Sequence, residues 1–189
     1  MIPMIPIQNK PNIVRNIEHT LSEIDNAVPL ELCDSCINET ILNSFQRGKS
    51  KNEHLWKAQF DATLLLDTNH AIYSIIYNFL VDYIAKTDIK INFLEPFEIK
   101  RYNVGDFFEP HRDNYFALDC KLDRKVNLIL QLSDSNSYEG GDLLIGPNPV
   151  TRKKGSLIIF PSTYTHSVTT VTYGERYSLI GHAWGPNWI

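Results

Sequence analysis

The chain has 189 residues, and its 18 lysines and arginines against 22 aspartates and glutamates give a formal net charge of −4. This length fits one domain, residues 1–189, and the acidic balance makes nucleic acid an unexpected partner, although a local basic groove stays open. No run of 18 or more apolar residues and no signal-peptide pattern occurs, so we expect no membrane span and a cytoplasmic location.

The first half of the chain, residues 1–90, has the apolar spacing of helices. Such patterns predict helices over residues 17–27, 29–45 and 67–85, and an extended segment over residues 58–66. Pro29 suits the first turn of the second helix, and Asp67 or Thr68 is the expected N-cap of the third. We therefore expect a helical front to the domain.

A Cys33-x-x-Cys36 pair lies within the second of these helical patterns. That spacing occurs in metal and redox sites, but the only other cysteine is Cys120 and no second pair is present. Three cysteines are too few for a disulfide framework, and reduced thiols suit an intracellular chain. We interpret the pair as ordinary, partly buried side chains.

The second half, residues 91–189, alternates short strand-like runs with turn signals. Predicted strands cover residues 97–102, 107–111, 125–132, 142–145, 156–160, 166–171 and 176–183. Helices followed by strands indicate an α+β fold. In the third of these runs the apolar residues alternate, so Asn127 and Gln131 face away from the core, either into a pocket or into solvent.

Three residues of this strand-rich half could bind a metal together. His111 and Asp113 are two positions apart after a strand-like run, so their side chains project to the same side, and His166 lies between two further strands. Two imidazoles and one carboxylate can occupy one face of an iron(II) octahedron. On these residues alone, a surface turn plus a core histidine explains the pattern at least as well. A barrel or jelly roll would bring such distant strands together.

Five motifs around these residues resemble the iron(II)/2-oxoglutarate-dependent oxygenases of the prolyl 4-hydroxylase-like type. Tyr102 and Gly105 with the H-x-D residues resemble Y-x-x-G-x-x-x-x-P-H-x-D, and residues 125–133 resemble the hydrophobic strand that precedes a G-G-[ED]-L hairpin, here at residues 140–143. Residues 154–162 resemble K-x-G-x-x-x-x-F-P-S, and residues 166–178 resemble H-x-V-x-x-V-x-x-G-x-R-x-S. These motifs follow the family's order over about half of the chain.

The resemblance implies a fold and a set of cofactors. The fold is a double-stranded β-helix, or jelly roll, with the N-terminal helices packed on the major sheet. The cofactors and co-substrates are Fe(II), 2-oxoglutarate and O2, with ascorbate as a reductant. In such enzymes the co-substrate is converted to succinate and CO2 while the substrate is hydroxylated.

The resemblance also assigns roles to individual residues. It makes His111, Asp113 and His166 the iron ligands, with no further catalytic residue. Arg176 takes the position that binds the far carboxylate of 2-oxoglutarate, where the alternative is a surface strand residue. Co-substrate contacts are expected from a further set of residues: Ser178, Tyr102 and Gln131.

His182 is a departure from the family, which usually has tryptophan at this position. It either supports the pocket or packs in the core. The segment 112–125 is the expected lid and includes three apolar side chains, Tyr115, Phe116 and Leu118.

The sequence leaves the substrate open. An aromatic lid would suit a prolyl residue in a peptide or protein, and it would equally suit other apolar groups. We therefore keep two alternatives to a prolyl hydroxylase. One is the same mechanism on a free amino acid or another small molecule, and the other is a catalytically silent jelly-roll binding or structural module.

Overall fold

The computed structural model describes residues 5–6, 21–42, 46–49, 57–64, 70–114 and 121–187. It contains two helices, α1 (Leu30–Leu42) and α2 (Ala71–Ile84). The strands in chain order are β1 (Ile5–Pro6), β2 (Ser22–Ile24), β3 (Gln46–Lys49), β4 (Ala58–Leu64), β5 (Phe93–Leu94), β6 (Glu98–Tyr102), β7 (Phe107–His111), β8 (Leu122–Gln131), β9 (Tyr138–Gly140), β10 (Leu143–Ile145), β11 (Asn148–Pro149), β12 (Leu157–Pro161), β13 (His166–Val168), β14 (Val171–Gly174) and β15 (Arg176–Pro186).

The strands form the jelly roll that the sequence predicts. One side of the roll has the order β4-β6-β15-β8-β12-β2, and the other has the order β11-β10-β13-β7. Strand β4 joins the two sides, because its first residues pair with β7 while Asp61 to Leu64 pair with β6. Every described pairing among these strands is antiparallel. The sheet therefore curls around an interior that both sides line.

Two apolar cores lie on opposite faces of the larger side of the roll. The outer core contains the buried faces of both helices, with Cys36 from α1 and Ile76 and Leu80 from α2, together with Leu128 and Leu130 of β8. The inner core lies inside the roll and is closed by a separate set of side chains: Phe60, Ile129, Ile158, Phe160 and Ile180. Because helices cover one face and the roll encloses the other, β8 and β12 are buried on both faces.

The helical front contains more strand than the sequence predicts. The helix expected over residues 17–27 is wrong where the structure describes it, because Ser22–Ile24 form β2 and pair with β12. Asn26, two residues later, has a φ of 53°, which a right-handed helix does not accommodate. Residues 17–20 lie outside the described residues. The strand β4 confirms the extended segment predicted from residue 58, as far as residue 64.

The two described helices begin close to the expected positions. Helix α1 starts directly after Pro29, whose carbonyl accepts hydrogen bonds from Leu32 N and Cys33 N. Helix α2 is capped by His70, where we expected Asp67 or Thr68: the His70 imidazole accepts from Ile72 N at 3.3 Å. Neither helix is long and apolar enough to span a membrane, among the residues that the structure describes.

The strand predicted over residues 166–171 is interrupted in the structure. Strand β13 ends at Val168, and β14 begins at Val171 and pairs with β9 in a separate two-stranded sheet. The crossing point is crowded: a Cβ on Gly140, which has a φ of 67°, would overlap the carbonyl oxygen of Thr170. Glycine at this position therefore allows β9 and β14 to approach closely and pair outside the main sheet.

Candidate functional site

The three predicted metal ligands lie at the ends of neighbouring strands. His111 ends β7, His166 begins β13, and the two residues are directly paired across the antiparallel ladder. Asp113 follows His111 by two residues, and its backbone N–H donates to Ser162 O at 3.1 Å. One donor atom from each residue lies within 4.8 Å of the other two. The fold thus gathers the predicted triad at one point.

Both imidazoles are held with Nε2 facing Asp113. The Nδ1 atom of His111 lies 2.8 Å from Glu109 O, and that of His166 lies 3.2 Å from Tyr164 O. A carbonyl oxygen only accepts, so each Nδ1 carries a proton and each Nε2 is the nitrogen that could bind a metal. The Nε2 atoms lie 3.8 and 3.2 Å from the two Asp113 oxygens, for His111 and His166 respectively.

The charge states of the triad suit a metal as well. Burial, followed by the nearby His166, lowers the pKa of His111 to about 3, so this imidazole is neutral at physiological pH. Burial alone would raise the pKa of Asp113, but the surrounding histidines outweigh burial and hold it well below its usual value. Two imidazole nitrogens and one carboxylate are the donor set that iron(II) takes in a facial triad.

Asp113 is supported by a hydrogen-bonded chain that includes His182. Asn127 Nδ2 donates to Asp113 Oδ2 at 2.8 Å, so the amide oxygen of Asn127 faces the other way and accepts from His182 Nδ1 at 3.1 Å. Burial, followed by Arg124, holds the pKa of His182 well below its usual value. This residue therefore lines the cavity as a neutral imidazole that orients Asn127.

We expect Asn127→Ala to weaken iron(II) binding about ten- to a hundredfold, because a ligating carboxylate that loses its supporting hydrogen bond is less well oriented. Equilibrium dialysis against iron(II) under anaerobic conditions measures the effect. Ile129→Val is the matched control, since Ile129 lies on the same face of β8 and also lines the cavity. An unchanged iron affinity in Asn127→Ala, or an equal loss in the control, would show that Asp113 needs no such support.

Arg176 lies deep in the same cavity and is only 1% exposed. It is paired with Tyr102 across the sheet, and its guanidinium lies 5.4 Å from the centre of the Tyr102 ring. Its Nη2 donates to Gln131 Oε1 at 2.9 Å and its Nη1 to Ser178 Oγ at 3.4 Å. Among the described residues, no carboxylate pairs with this guanidinium and its buried Nε has no hydrogen-bond partner. A bound anion would supply the missing counter-charge.

The other predicted co-substrate residues differ in their positions. Tyr102 and Ser178 line the cavity beside Arg176, and burial raises the pKa of Tyr102, so its phenol remains protonated. Gln131 is buried behind Arg176, where its Nε2 donates to Thr151 O at 2.9 Å and its oxygen accepts from the guanidinium. Its amide thus holds Arg176 in place, and direct contact between Gln131 and a co-substrate stays a prediction.

Sequence reasoning missed Lys100, which also lines the cavity. The available signal was its position on β6, two residues before Tyr102 and therefore on the same face. Burial alone would lower the pKa of Lys100, but Glu98, Tyr102 and Asp113 outweigh burial and raise it. The side chain is therefore a charged ammonium inside the roll.

Other sequence expectations lie away from the cavity or outside the described residues. Cys33 and Cys36 are buried in the outer core, and burial raises the pKa values of their thiols to about 11 and 12. Such thiols are not activated for redox or metal chemistry. Residues 115–120, which contain the aromatic part of the expected lid and Cys120, lie outside the described residues.

Comparisons with known proteins agree with this site. Residues 97–184 match the sequence model of the family described as the 2OG-Fe(II) oxygenase superfamily. A PKHD-type hydroxylase of Shewanella oneidensis is 42% identical over 84 residues, which is 41% of this chain and 38% of that relative. The matched segment therefore spans less than half of the relative's length.

Solved structures of prolyl hydroxylases share the fold. A viral collagen prolyl hydroxylase from Paramecium bursaria Chlorella virus-1, solved as a 2-oxoglutarate complex, has a TM-score of 0.72 at 18% identity and covers 89% of this chain and 97% of its own. A Trichoplax adhaerens prolyl hydroxylase was solved in complex with a peptide fragment of the hypoxia inducible factor oxygen degradation domain. Its TM-score is 0.67 at 14% identity, and the match covers 88% of this chain and 84% of the Trichoplax chain.

Proposed function

We propose that this chain is an iron(II)- and 2-oxoglutarate-dependent dioxygenase that hydroxylates prolyl residues in a peptide or protein, because residues 97–184 match the 2OG-Fe(II) oxygenase family and the fold is similar to that of a collagen prolyl hydroxylase. The observation that carries the proposal is the presence of two features in one cavity: the triad of His111, Asp113 and His166, and the guanidinium of Arg176, which has no carboxylate partner among the described residues. A silent binding module would need neither feature, so the cavity favours an enzyme.

The side chains that line the cavity fall into groups with different roles in the proposed reaction. His111, Asp113 and His166 would hold iron(II), and Arg176 with Tyr102 would bind the far carboxylate of 2-oxoglutarate. When bound, the metal and co-substrate supply the oxidation of a substrate C–H bond, with release of succinate and CO2. Apolar side chains such as Ile129, Leu143 and Ile180 limit water in the cavity and strengthen its electrostatic contacts.

The substrate class rests on similarity and on the character of the cavity. The fold neighbours include a collagen prolyl hydroxylase and a prolyl hydroxylase bound to a peptide fragment. In this chain, the wall next to the triad is apolar and aromatic, with Phe108 stacked on His111 at 3.7 Å between ring centres. Such a wall suits a pyrrolidine ring, which is apolar and has no side-chain hydrogen-bonding group.

We expect proline-containing peptides to increase succinate formation and to gain one oxygen atom, whereas free proline does neither. The physical reason is that contacts with flanking peptide groups supply the binding energy that orders the substrate for reaction. Incubation of a peptide library with protein, iron(II), ascorbate and 2-oxoglutarate, followed by mass spectrometry, measures both effects.

The control for this experiment is the same library with each proline replaced by alanine. Oxygen gained by the alanine peptides would contradict prolyl specificity. Hydroxylation of free proline or of another small molecule, without any peptide product, would favour the small-molecule alternative. Iron, 2-oxoglutarate and their binding residues would keep their roles in that case.

A further inference from the structure

Lys100 lies in the cavity one step along the sheet from Arg176. On β15, Arg176 pairs with Tyr102 and Ser178 pairs with Lys100, so two consecutive rows of inward side chains each contain a cation. Rows that are two residues apart are separated by about 7 Å along a strand. Lys100 Nζ lies 5.2 Å from the centre of the Phe108 ring, and that ring stacks on His111, so the Lys100 charge lies on the side of the cavity that faces the triad.

The Lys100 ammonium has no hydrogen-bond acceptor among the described residues. Its nearest carboxylate oxygen is Glu98 Oε2 at 3.6 Å, and its other close neighbours are the faces of Phe60 and Phe108, at 4.5 and 5.2 Å from Nζ to the ring centres. The side chain is 12% exposed. The ammonium thus has an ion-pair partner beyond hydrogen-bonding distance and two aromatic faces, so a ligand that supplies a hydrogen-bond acceptor would be favoured here.

We propose that Lys100 binds a carboxylate in this cavity, at a second cationic position beyond Arg176. The proposal rests on the proposed function, and the first candidate is the 2-oxoglutarate carboxylate next to the keto group. 2-Oxoglutarate has a carboxylate at each end of a five-carbon chain, and the cavity has one cation deep in the roll and another nearer the triad. A carboxylate of the substrate is the other source of the same chemistry.

The charges of the site support this assignment. Asp113 already contributes one negative charge beside the place where iron would be held, so a second carboxylate there needs a nearby cation. Gln131 and Ser178 hold the Arg176 guanidinium, and they lie four residues along β8 and β15 from the Asn127–His182 pair that supports Asp113, so Arg176 does not reach both ends of the cavity. Lys100 is the other cation in the described lining of the cavity, because Arg124, whose Nη1 lies 3.8 Å from Asp113 Oδ1, is not part of that lining.

Anaerobic calorimetry on the full chain loaded with Mn(II) separates the two carboxylates. The probes are 2-oxoglutarate and 2-oxopentanoate, which has the same chain length without the far carboxylate. We expect Lys100→Met to weaken the binding of both probes by a similar factor, about ten- to a hundredfold, as a hydrogen bond to a charged group is lost. Arg176→Ala should instead weaken 2-oxoglutarate alone.

Two further variants separate charge from folding. Glu98→Gln removes the carboxylate that competes for Lys100, so it should bind both probes at least as tightly as the wild type does. Lys100→Arg keeps the charge and should retain most of the affinity. Should Lys100→Met unfold, as judged by thermal unfolding of the unliganded protein, Lys100→Gln replaces it in the same comparison.

The remaining outcomes assign the source of the carboxylate or overturn the proposal. One outcome is that Lys100→Met binds both keto acids normally but no longer prefers prolyl peptides with a free C-terminal carboxylate over the same peptides with a C-terminal amide. If the wild type shows that preference, this result assigns Lys100 to the substrate carboxylate. Unchanged binding of both keto acids and of both peptide forms would overturn the role of Lys100. Absence of keto-acid binding in the wild type would overturn the proposed function itself, and this inference with it.

Discussion

Replacing His111 or Asp113 with alanine is expected to reduce iron(II)-dependent succinate formation to background while the protein stays folded. Each substitution removes one of three protein donors, and the remaining two do not hold iron(II) in a facial arrangement. The backbone pairing that brings the donor atoms of the triad within 4.8 Å of one another does not depend on these side chains, so alanine should leave the fold in place. We therefore expect the loss of activity to result from a loss of iron(II) binding. Equilibrium dialysis and a succinate assay on the same samples measure both effects.

His70→Ala is a suitable control for these variants. His70 caps α2 and lies 3.4 Å from Glu39, so its replacement affects the outer helices without touching the cavity. We expect it to lower the thermal stability slightly and to leave iron binding intact. Normal turnover in both His111→Ala and Asp113→Ala would contradict the assignment of the triad.

Arg176→Ala is expected to raise the concentration of 2-oxoglutarate needed for turnover by a hundred- to a few thousandfold, with a much smaller effect on the iron requirement. Removal of one partner from a buried charge pair costs about 3 to 5 kcal/mol, because the remaining charge is left without compensation. Here the remaining charge would be the far carboxylate of the co-substrate. Succinate formation measured at varied 2-oxoglutarate and varied iron(II) separates the two requirements.

Arg176→Lys should be milder than Arg176→Ala. A lysine restores the positive charge, but it cannot form the two parallel hydrogen bonds of a guanidinium, nor hold both Gln131 and Ser178 as Arg176 does. Equal losses of iron and co-substrate binding in Arg176→Ala would indicate general misfolding instead of a specific role for the guanidinium.

The sequence predicts the jelly roll and most of the residues that converge on the cavity. His111 and Asp113 are close because a strand places residues two apart on one side, and this relation is local. Arg176 and Ser178 follow the same rule on β15. The family resemblance then supplies the partner strand for His166, which spacing alone does not give.

What the sequence does not predict depends on pairing between distant strands. The contact of His182 with Asn127 follows from the register of β15 on β8, across 55 residues of chain. The wrong prediction of a helix at Ser22–Ile24 also results from pairing between distant strands, because this segment pairs with β12 at the edge of the sheet. Lys100 was missed because a lysine in a strand usually faces solvent, whereas here the roll encloses it.

The N-terminal half of the chain also contributes strands to the jelly roll. Strands β3 and β4 come from the front but extend the larger side of the roll, and β4 carries Phe60 into the inner core. We therefore propose that residues 1–189 form one domain in which the front completes the roll.

Anaerobic titration of 2-oxoglutarate into the protein, with and without iron(II), tests most directly whether this cavity binds both together. We predict one binding site per chain, with an affinity that rises when iron(II) is present, that falls to the metal-free value in Asp113→Ala, and that is largely lost in Arg176→Ala. A 2-oxoglutarate affinity that does not depend on iron(II), or that is unchanged in both variants, would contradict the assignment of the cavity to iron and its co-substrate.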